Sequence, residues 1–355
     1  MLFFLSLTIL VLITISIWQI TKIFELSQIS EIDYSQIAND KDNEINGKLM
    51  FAFLGFIYFI TFFSFWKWGD VLLPEAASDH GGIYDSLMWV TFAIIFFVQT
   101  ITQALLHYFS YKYRGRKGNK ALFYSDNNRL EALWTFIPMI VLAILIFFGL
   151  YTWTDIMNVE ENDEALTVEL YAQQFNWKVR YAGEDGVLGD ANIRFLQDFD
   201  GKNIVGIDAT DPNGFDDKVT LELHLPVGRE VIFKIRSQDV LHSAFMPHFR
   251  AQMNAVPGMI TEFAYTPIIT TEEMRLKPEI KEKVKKINKI RAENSKKLIA
   301  IGEEPLEPYI FDYVLMCNKI CGASHYNMQM KIIVETPEEF EKWINQQQDF
   351  SQMIQ

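Results

Sequence analysis

Cys317-Asn-Lys-Ile-Cys321-Gly-Ala-Ser-His325-Tyr-Asn-Met328 holds the only two cysteines of the chain, with a histidine four residues beyond the second and a methionine three beyond that. Thiolate, imidazole and thioether together form the soft ligand set that suits copper. A structural zinc site wants four Cys/His ligands in paired spacings, and one C-x3-C with a single neighbouring His falls short of it. Haem attachment needs C-x-x-C-H, a run this sequence lacks. On the residues alone a disulfide between Cys317 and Cys321, or two free buried thiols, stays open, although neither accounts for His325 and Met328.

Working outward, half of the 355 residues are hydrophobic, which suits a membrane part plus one separate domain. The formal net charge of -13 argues against nucleic acid and for a basic partner. Residues 2–20 form an uncharged apolar run. Nothing basic precedes Lys22 and no A-x-A-like site follows, so the run reads as a retained membrane helix and not a cleaved signal. Residues 24–48 are polar and acidic and read as a loop. Further apolar runs cover about 49–66, 87–106 and 133–153, each near the ~20 residues a bilayer needs.

The link between the third and fourth runs carries Lys112, Arg114, Arg116, Lys117, Lys120 and Arg129, whereas Asp70, Glu75 and Asp79 lie between the second and third. The positive-inside rule puts the basic link in the cytoplasm, so everything after Thr154 is expected outside. There the pattern changes to short β-prone runs at 166–171, 177–181, 219–225, 230–235, 261–265, 309–315 and 329–334, the mark of a sandwich or barrel. Two insertions interrupt them. Residues 185–217 are rich in Gly, Asp and Asn. Within about 272–305, the stretch 276–299 reads as a basic helix, with Ile280, Val284, Ile287 and Ile290 at helical spacing.

The ligand run resembles the copper-A signature of cytochrome c oxidase subunit II, together with Asp239-Val-Leu-His242-Ser upstream and Ala255-Val-Pro257-Gly258 after it. The resemblance implies an α+β membrane protein: N-terminal transmembrane helices followed by an extracytoplasmic, cupredoxin-like Greek-key β-sandwich. It implies two copper ions bridged by Cys317 and Cys321, with His242 and His325 as terminal ligands. Met328 and the backbone carbonyl of Lys319 would be the weak ones. The chain would take electrons from cytochrome c and pass them to haem in the catalytic subunit I, alongside other oxidase subunits. Its expected location is the bacterial plasma (inner) membrane, with the copper domain in the periplasm.

The family's usual form has two membrane helices before the copper domain. Residues 1–48 and 49–86 are therefore expected as additions, 87–154 as the family's transmembrane hairpin and 155–355 as its copper domain. Glu131 lies in Leu130-Glu-Ala-Leu-Trp134-Thr, which the resemblance places at the mouth of a proton channel of the catalytic subunit. A first helical turn also favours a carboxylate through the helix dipole alone.

Two departures limit the transfer. The family commonly has Glu at the position of Lys319, and an ammonium offers a hard cation no acceptor, so magnesium is doubtful. In the aromatic run Gln173-Gln-Phe175-Asn-Trp177, Phe175 stands where many members present Trp to cytochrome c, leaving Phe175 and Trp177 as candidates for electron intake. Two cysteines cannot serve both the metal and a haem, so no haem is expected in this chain. His80, His107, His224 and His248 read as structural or surface residues. The competing function is a membrane-anchored copper-binding or copper-delivery protein, although the chain lacks the Met- or His-rich tract such a protein uses to receive copper.

Overall fold

The computed structural model describes residues 2–27, 39–69, 72–160 and 162–355. Four helices come first: α1 (Leu2–Ser27), α2 (Asp40–Trp68), α3 (Gly81–Lys112) and α4 (Asn128–Met157). All four are long and apolar enough to cross a membrane. Each runs past the apolar stretch that foretells it, because helix needs a hydrophobic surface only across the ~30 Å hydrocarbon core. The loop expected over 24–48 is corrected accordingly: 24–27 close α1, and 40–48 are the first turns of α2. Asn39 caps α2 by accepting from the Asp42 N–H at 2.9 Å, and Asp40 and Asp42 sit where the helix dipole favours acids. The rest of that loop, residues 28–38, and Asp70 lie outside the described residues.

Ten strands follow: β1 (Leu166–Gln173), β2 (Asn176–Tyr181), β3 (Lys218–Thr220), β4 (Leu223–Pro226), β5 (Val231–Ser237), β6 (His242–Met246), β7 (Ala251–Ala255), β8 (Thr261–Tyr265), β9 (Tyr313–Cys317) and β10 (Gln329–Glu335). They form two five-stranded sheets, ordered β3-β2-β1-β5-β8 and β4-β10-β9-β6-β7. The β1/β5 and β4/β10 pairs are parallel and the others antiparallel. The inner faces share one core, in which Leu170, Trp177 and Phe233 of one sheet meet Leu225, Tyr313 and Ile332 of the other. This is the β-sandwich expected.

Three strand readings are corrected. The run 219–225 is two strands in different sheets; the chain crosses between them at the exposed Leu221 and Glu222. Strand β9 starts only at Tyr313, because the backbone of Tyr309 bonds to the Asn288 side chain through both its N–H and its C=O. Strands β6 and β7 are additional, five residues each, too short for alternation to stand out.

The second insertion holds α5 (Thr271–Leu276) and α6 (Pro278–Ala300). Ile280 is buried and Val284 packs on the core, but Ile290 is 59% exposed. The inner face of α6 continues instead through Arg291, which bonds the Glu307 carbonyl at 2.9 Å, and Ser295, whose Oγ accepts from Leu306 N–H at 2.9 Å. Two short helices, α7 (Pro337–Ile344) and α8 (Phe350–Met353), close the chain.

The chain divides into two compact units, Met1–Gly69 with Ile94–Arg129, and Asp70–Ala93 with Leu130–Gln355. Within the second, residues 72–80 are stitched to the end of β6. The Ala77 N–H donates to His248 O at 2.7 Å, Ser78 Oγ to Phe249 O at 2.8 Å, and Arg250 grips Asp85 at 2.7 and 2.8 Å. The strand that begins with His242 is therefore fixed at its other end by the segment leading into α3. A buried ionic knot holds the opposite sheet. Glu169 of β1 pairs with Arg180 and Arg236, and Arg180 also reaches Asp217 and the Gly189 carbonyl, tying the 185–217 insertion to the sandwich.

Candidate metal centre

Three segments of the second sheet gather the soft side chains. His242 opens β6, Cys317 ends β9, and the loop to β10 carries Cys321, His325 and Met328. Pairing of Ala244 with Cys317 sets β6 against β9, so His242 and Cys317 share one end of the sheet. The loop is closed by Cys317 N–H donating to Met328 O at 3.0 Å, and pinned to β6 by Asn318 N–H donating to Ser243 O at 3.0 Å.

The sulfurs of Cys317 and Cys321 lie 3.8 Å apart. A disulfide requires about 2.05 Å, so these are two free thiols. Around Cys317 Sγ stand His242 Nδ1 at 3.7 Å and the Lys319 carbonyl at 3.1 Å; around Cys321 Sγ stand His325 Nδ1 at 3.6 Å and Met328 Sδ at 3.7 Å. Each sulfur thus has its own imidazole nitrogen and its own weaker donor. Ligand atoms of His242, Cys317 and Cys321 all fall within 4.8 Å of one another. His242, Cys317, Cys321 and Met328 are buried, whereas His325 is half-buried. This donor chemistry fits copper and offers a hard cation little.

The surroundings orient the donors. The second ring nitrogen of His242, Nε2, meets Asp239 Oδ1 at 2.8 Å, which leaves Nδ1 facing the sulfurs. Burial pushes the Asp239 carboxyl up, but bonds from the Gln174 and Val240 N–H groups and from His242 outweigh it and hold it below the usual range. Burial, with the neighbouring thiol, pushes Cys321 up to about 11. The Gln174 side-chain amide donates to the Cys321 carbonyl, and its backbone N–H to Asp239 Oδ2 at 2.8 Å, so one residue braces both ligand segments. Neither Asp239 nor Gln174 stands out in the sequence as part of the site. The i, i+3 spacing of Asp239 and His242 was the available signal, since metal-bound imidazoles usually donate their other N–H to a carboxylate.

Trp177 is fully buried, its ring edge-on to His242 at 6.3 Å, so it presents no surface to an arriving protein. Phe175 is half-buried and lies against Gly322 of the ligand loop. Lys319 is exposed and contributes its carbonyl on the inner side. Glu131 is exposed in the first turn of α4, far along the chain from these ligands. Among the other histidines, His248 is buried against Phe311 and Tyr313, and burial pushes it down to about 4. His224 stacks on Trp343 at 3.8 Å. His80 Nδ1 meets Asp79 at 3.3 Å, and His107 Nδ1 meets the Gln103 carbonyl at 2.7 Å.

Asp239→Asn is expected to lower copper affinity about tenfold or more while leaving the spectrum of the loaded site recognisable, because the carboxylate orients His242 without touching metal. Competition with a copper chelator checks this; unchanged affinity would show that the imidazole needs no such partner.

Membrane-length helices leading into a β-sandwich that gathers two thiols, two imidazoles and a thioether define a membrane-anchored β-sandwich protein with a donor set that could hold a soft metal. The family described as cytochrome c oxidase subunit II, transmembrane domain, matches residues 67–152. The alternative cytochrome c oxidase subunit 2 of Bradyrhizobium diazoefficiens is 30% identical over 291 residues, covering 81% of this chain and 87% of that protein. Cytochrome c oxidase subunit 2 of Thermostichus vulcanus is 26% identical over 317 residues, covering 81% and 83%. Among solved structures, the periplasmic domain of cytochrome oxidase subunit II of Bradyrhizobium japonicum is similar at 17% identity and a TM-score of 0.30, over 53% of this chain and 95% of that one. The chain belongs to the cytochrome c oxidase subunit 2 family. It is accordingly a multi-pass membrane protein and a subunit of an oxidoreductase complex.

Proposed function

We propose that this chain receives electrons from cytochrome c at a dinuclear copper centre on the periplasmic side of the bacterial inner membrane. It passes them to haem in catalytic subunit I, where oxygen is reduced to water and protons are translocated. The observation that carries this reading is the sorting of donors around two sulfurs 3.8 Å apart, each with its own imidazole and its own weak donor. When bound, the copper pair supplies a one-electron relay with no open position for a substrate.

The protein's own residues do the rest. Cys317 and Cys321 bind as thiolates, and Asp239 holds His242 in the tautomer that presents Nδ1. Trp177, Met328 and the buried thiols exclude water on the inner side. Phe175, half-buried beside the ligand loop, serves as the aromatic group for electron intake from the donor. Lys319 lends only its carbonyl, so no magnesium is assigned here. Residues 87–154 and 155–355 form the family's unit, and 1–48 and 49–86 are additions that dock against other oxidase subunits.

Electron paramagnetic resonance of the purified, copper-loaded full chain tests the reading. Hyperfine structure from one electron shared over two coppers supports it; a single-copper signal at full loading overturns it.

Glu131 is assigned to proton supply at the cytoplasmic mouth of the catalytic subunit. Glu131→Gln is expected to leave the copper spectrum unchanged and to slow turnover of the assembled oxidase. The hydrocarbon core of ~30 Å lies between this residue and the outer domain, so a proton path is its only route to turnover. Unchanged turnover across a wide pH range would leave only the helix-dipole role.

A further inference from the structure

At the cytoplasmic ends of α2 and α3 the first unit contains a cleft of about 530 Å³ that the electron-relay function does not use. Its polar mouth is formed by Asn43, Asn46 and Arg114, and its floor by Leu49, Met50 and Phe53. The helices meet closely here because Gly47 has no side chain; a Cβ would come within 2.8 Å of the Tyr111 ring and 3.3 Å of Arg114 Cδ. Asn43 donates to the Gly115 carbonyl at 3.2 Å, and Asp40 Oδ1 accepts from the Lys117 N–H at 2.8 Å, so the cleft has latched walls.

Among the described residues, Arg114 is the only charged one lining it. Its guanidinium stacks on Tyr111 at 4.1 Å and donates one N–H to the Tyr111 carbonyl at 2.7 Å. Its Nε is buried without a hydrogen-bond partner among the described residues. A buried donor left unpaired is costly, and a fork of this shape matches phosphate. Glu44, an acid of α2, makes its ion pair with Lys48 at 2.7 Å and so acts on Arg114 only at longer range.

We propose that this cleft binds the phosphate of an anionic phospholipid, with Arg114 on the phosphate and an acyl chain along Leu49, Met50 and Phe53. Position favours a lipid over a free anion. The polar mouth lies where α2 leaves its apolar run, the floor lies where that run begins, and a free phosphate would gain nothing from the apolar wall. Basic pockets between membrane helices on the cytoplasmic side are suited to anionic headgroups. Most of the lining comes from the added second helix, so the site gives the extra N-terminal segment a role of its own.

The test uses the delipidated full chain in detergent, titrated with short-chain phosphatidylglycerol or with phosphatidylcholine of the same acyl length, and native mass spectrometry as readout. One phosphatidylglycerol should bind per chain in preference to phosphatidylcholine. Arg114→Gln should weaken it about five- to tenfold and erase the preference. Ser110→Trp, which fills the cleft and keeps the charge, should weaken both lipids. Helicity by circular dichroism and copper uptake by the outer domain identify any variant that has merely misfolded. Equal affinity of wild type and Arg114→Gln for phosphatidylglycerol would overturn the proposal. So would displacement of the lipid by millimolar inorganic phosphate, which would make the site one for the free anion.

Discussion

Cys317→Ser and Cys321→Ser are each expected to abolish the two-copper spectrum completely, while Met328→Leu keeps it and shifts its potential. A serine hydroxyl does not ionise near neutral pH and is a hard donor, so it replaces neither the charge nor the softness of a thiolate. The geometry makes the two cysteines equivalent in this respect. Each sulfur has its own imidazole within 3.7 Å, and removing either leaves that imidazole without the thiolate that would hold copper beside it. Met328 differs, since its sulfur approaches only Cys321, at 3.7 Å. Copper must also displace the proton from a Cys321 thiol whose burial pushes it up to about 11, so metal uptake near neutral pH releases acid. Copper analysis with paramagnetic resonance of the three full-length variants checks the ranking. Equal copper loss in all three would show that the thioether bridges as the thiolates do.

Much of this was legible in the sequence because the informative residues are chemically rare. Two cysteines in 355 residues, with His and Met at fixed spacing, cannot be diluted by background, and apolar runs of bilayer length are equally hard to miss. Less legible was whatever tertiary contact decides. Residues 219–225 look like one strand because their alternation continues through Leu221, yet the chain changes sheets there. Ile290 keeps the helical period of Ile280 and Val284, but drift of the 3.6-residue turn and the needs of residues 306–309 gave its place to Arg291 and Ser295. Gln174 carries no sequence signal for its part in the site. Its contacts to Cys321 and Asp239 span 147 and 65 residues, and only the fold brings them together.

The close approach of that same segment sets the second large effect. Gly322→Ala is expected to lower copper affinity by about tenfold or more while the sandwich stays folded. Two separable causes act. Gly322 has a φ of +145°, a backbone conformation that side chains rarely adopt, and holding one there costs about 1–3 kcal/mol. A Cβ would also land 2.8 and 2.9 Å from the Phe175 ring and 2.9 Å from Gln174 Nε2, closer than carbon contacts allow. Either the ring retreats or the loop between Cys321 and His325 opens, and the second parts the ligands on the Cys321 side. The double variant Gly322→Ala with Phe175→Ala tells these causes apart. Recovery of most of the copper affinity would assign the loss to the ring contact, which would make Phe175 a brace for the ligand loop as well as its aromatic edge. An equally weak double variant would assign it to the backbone. Wild-type affinity in Gly322→Ala alone, read by chelator competition at unchanged helicity, would show that the loop closes without the glycine.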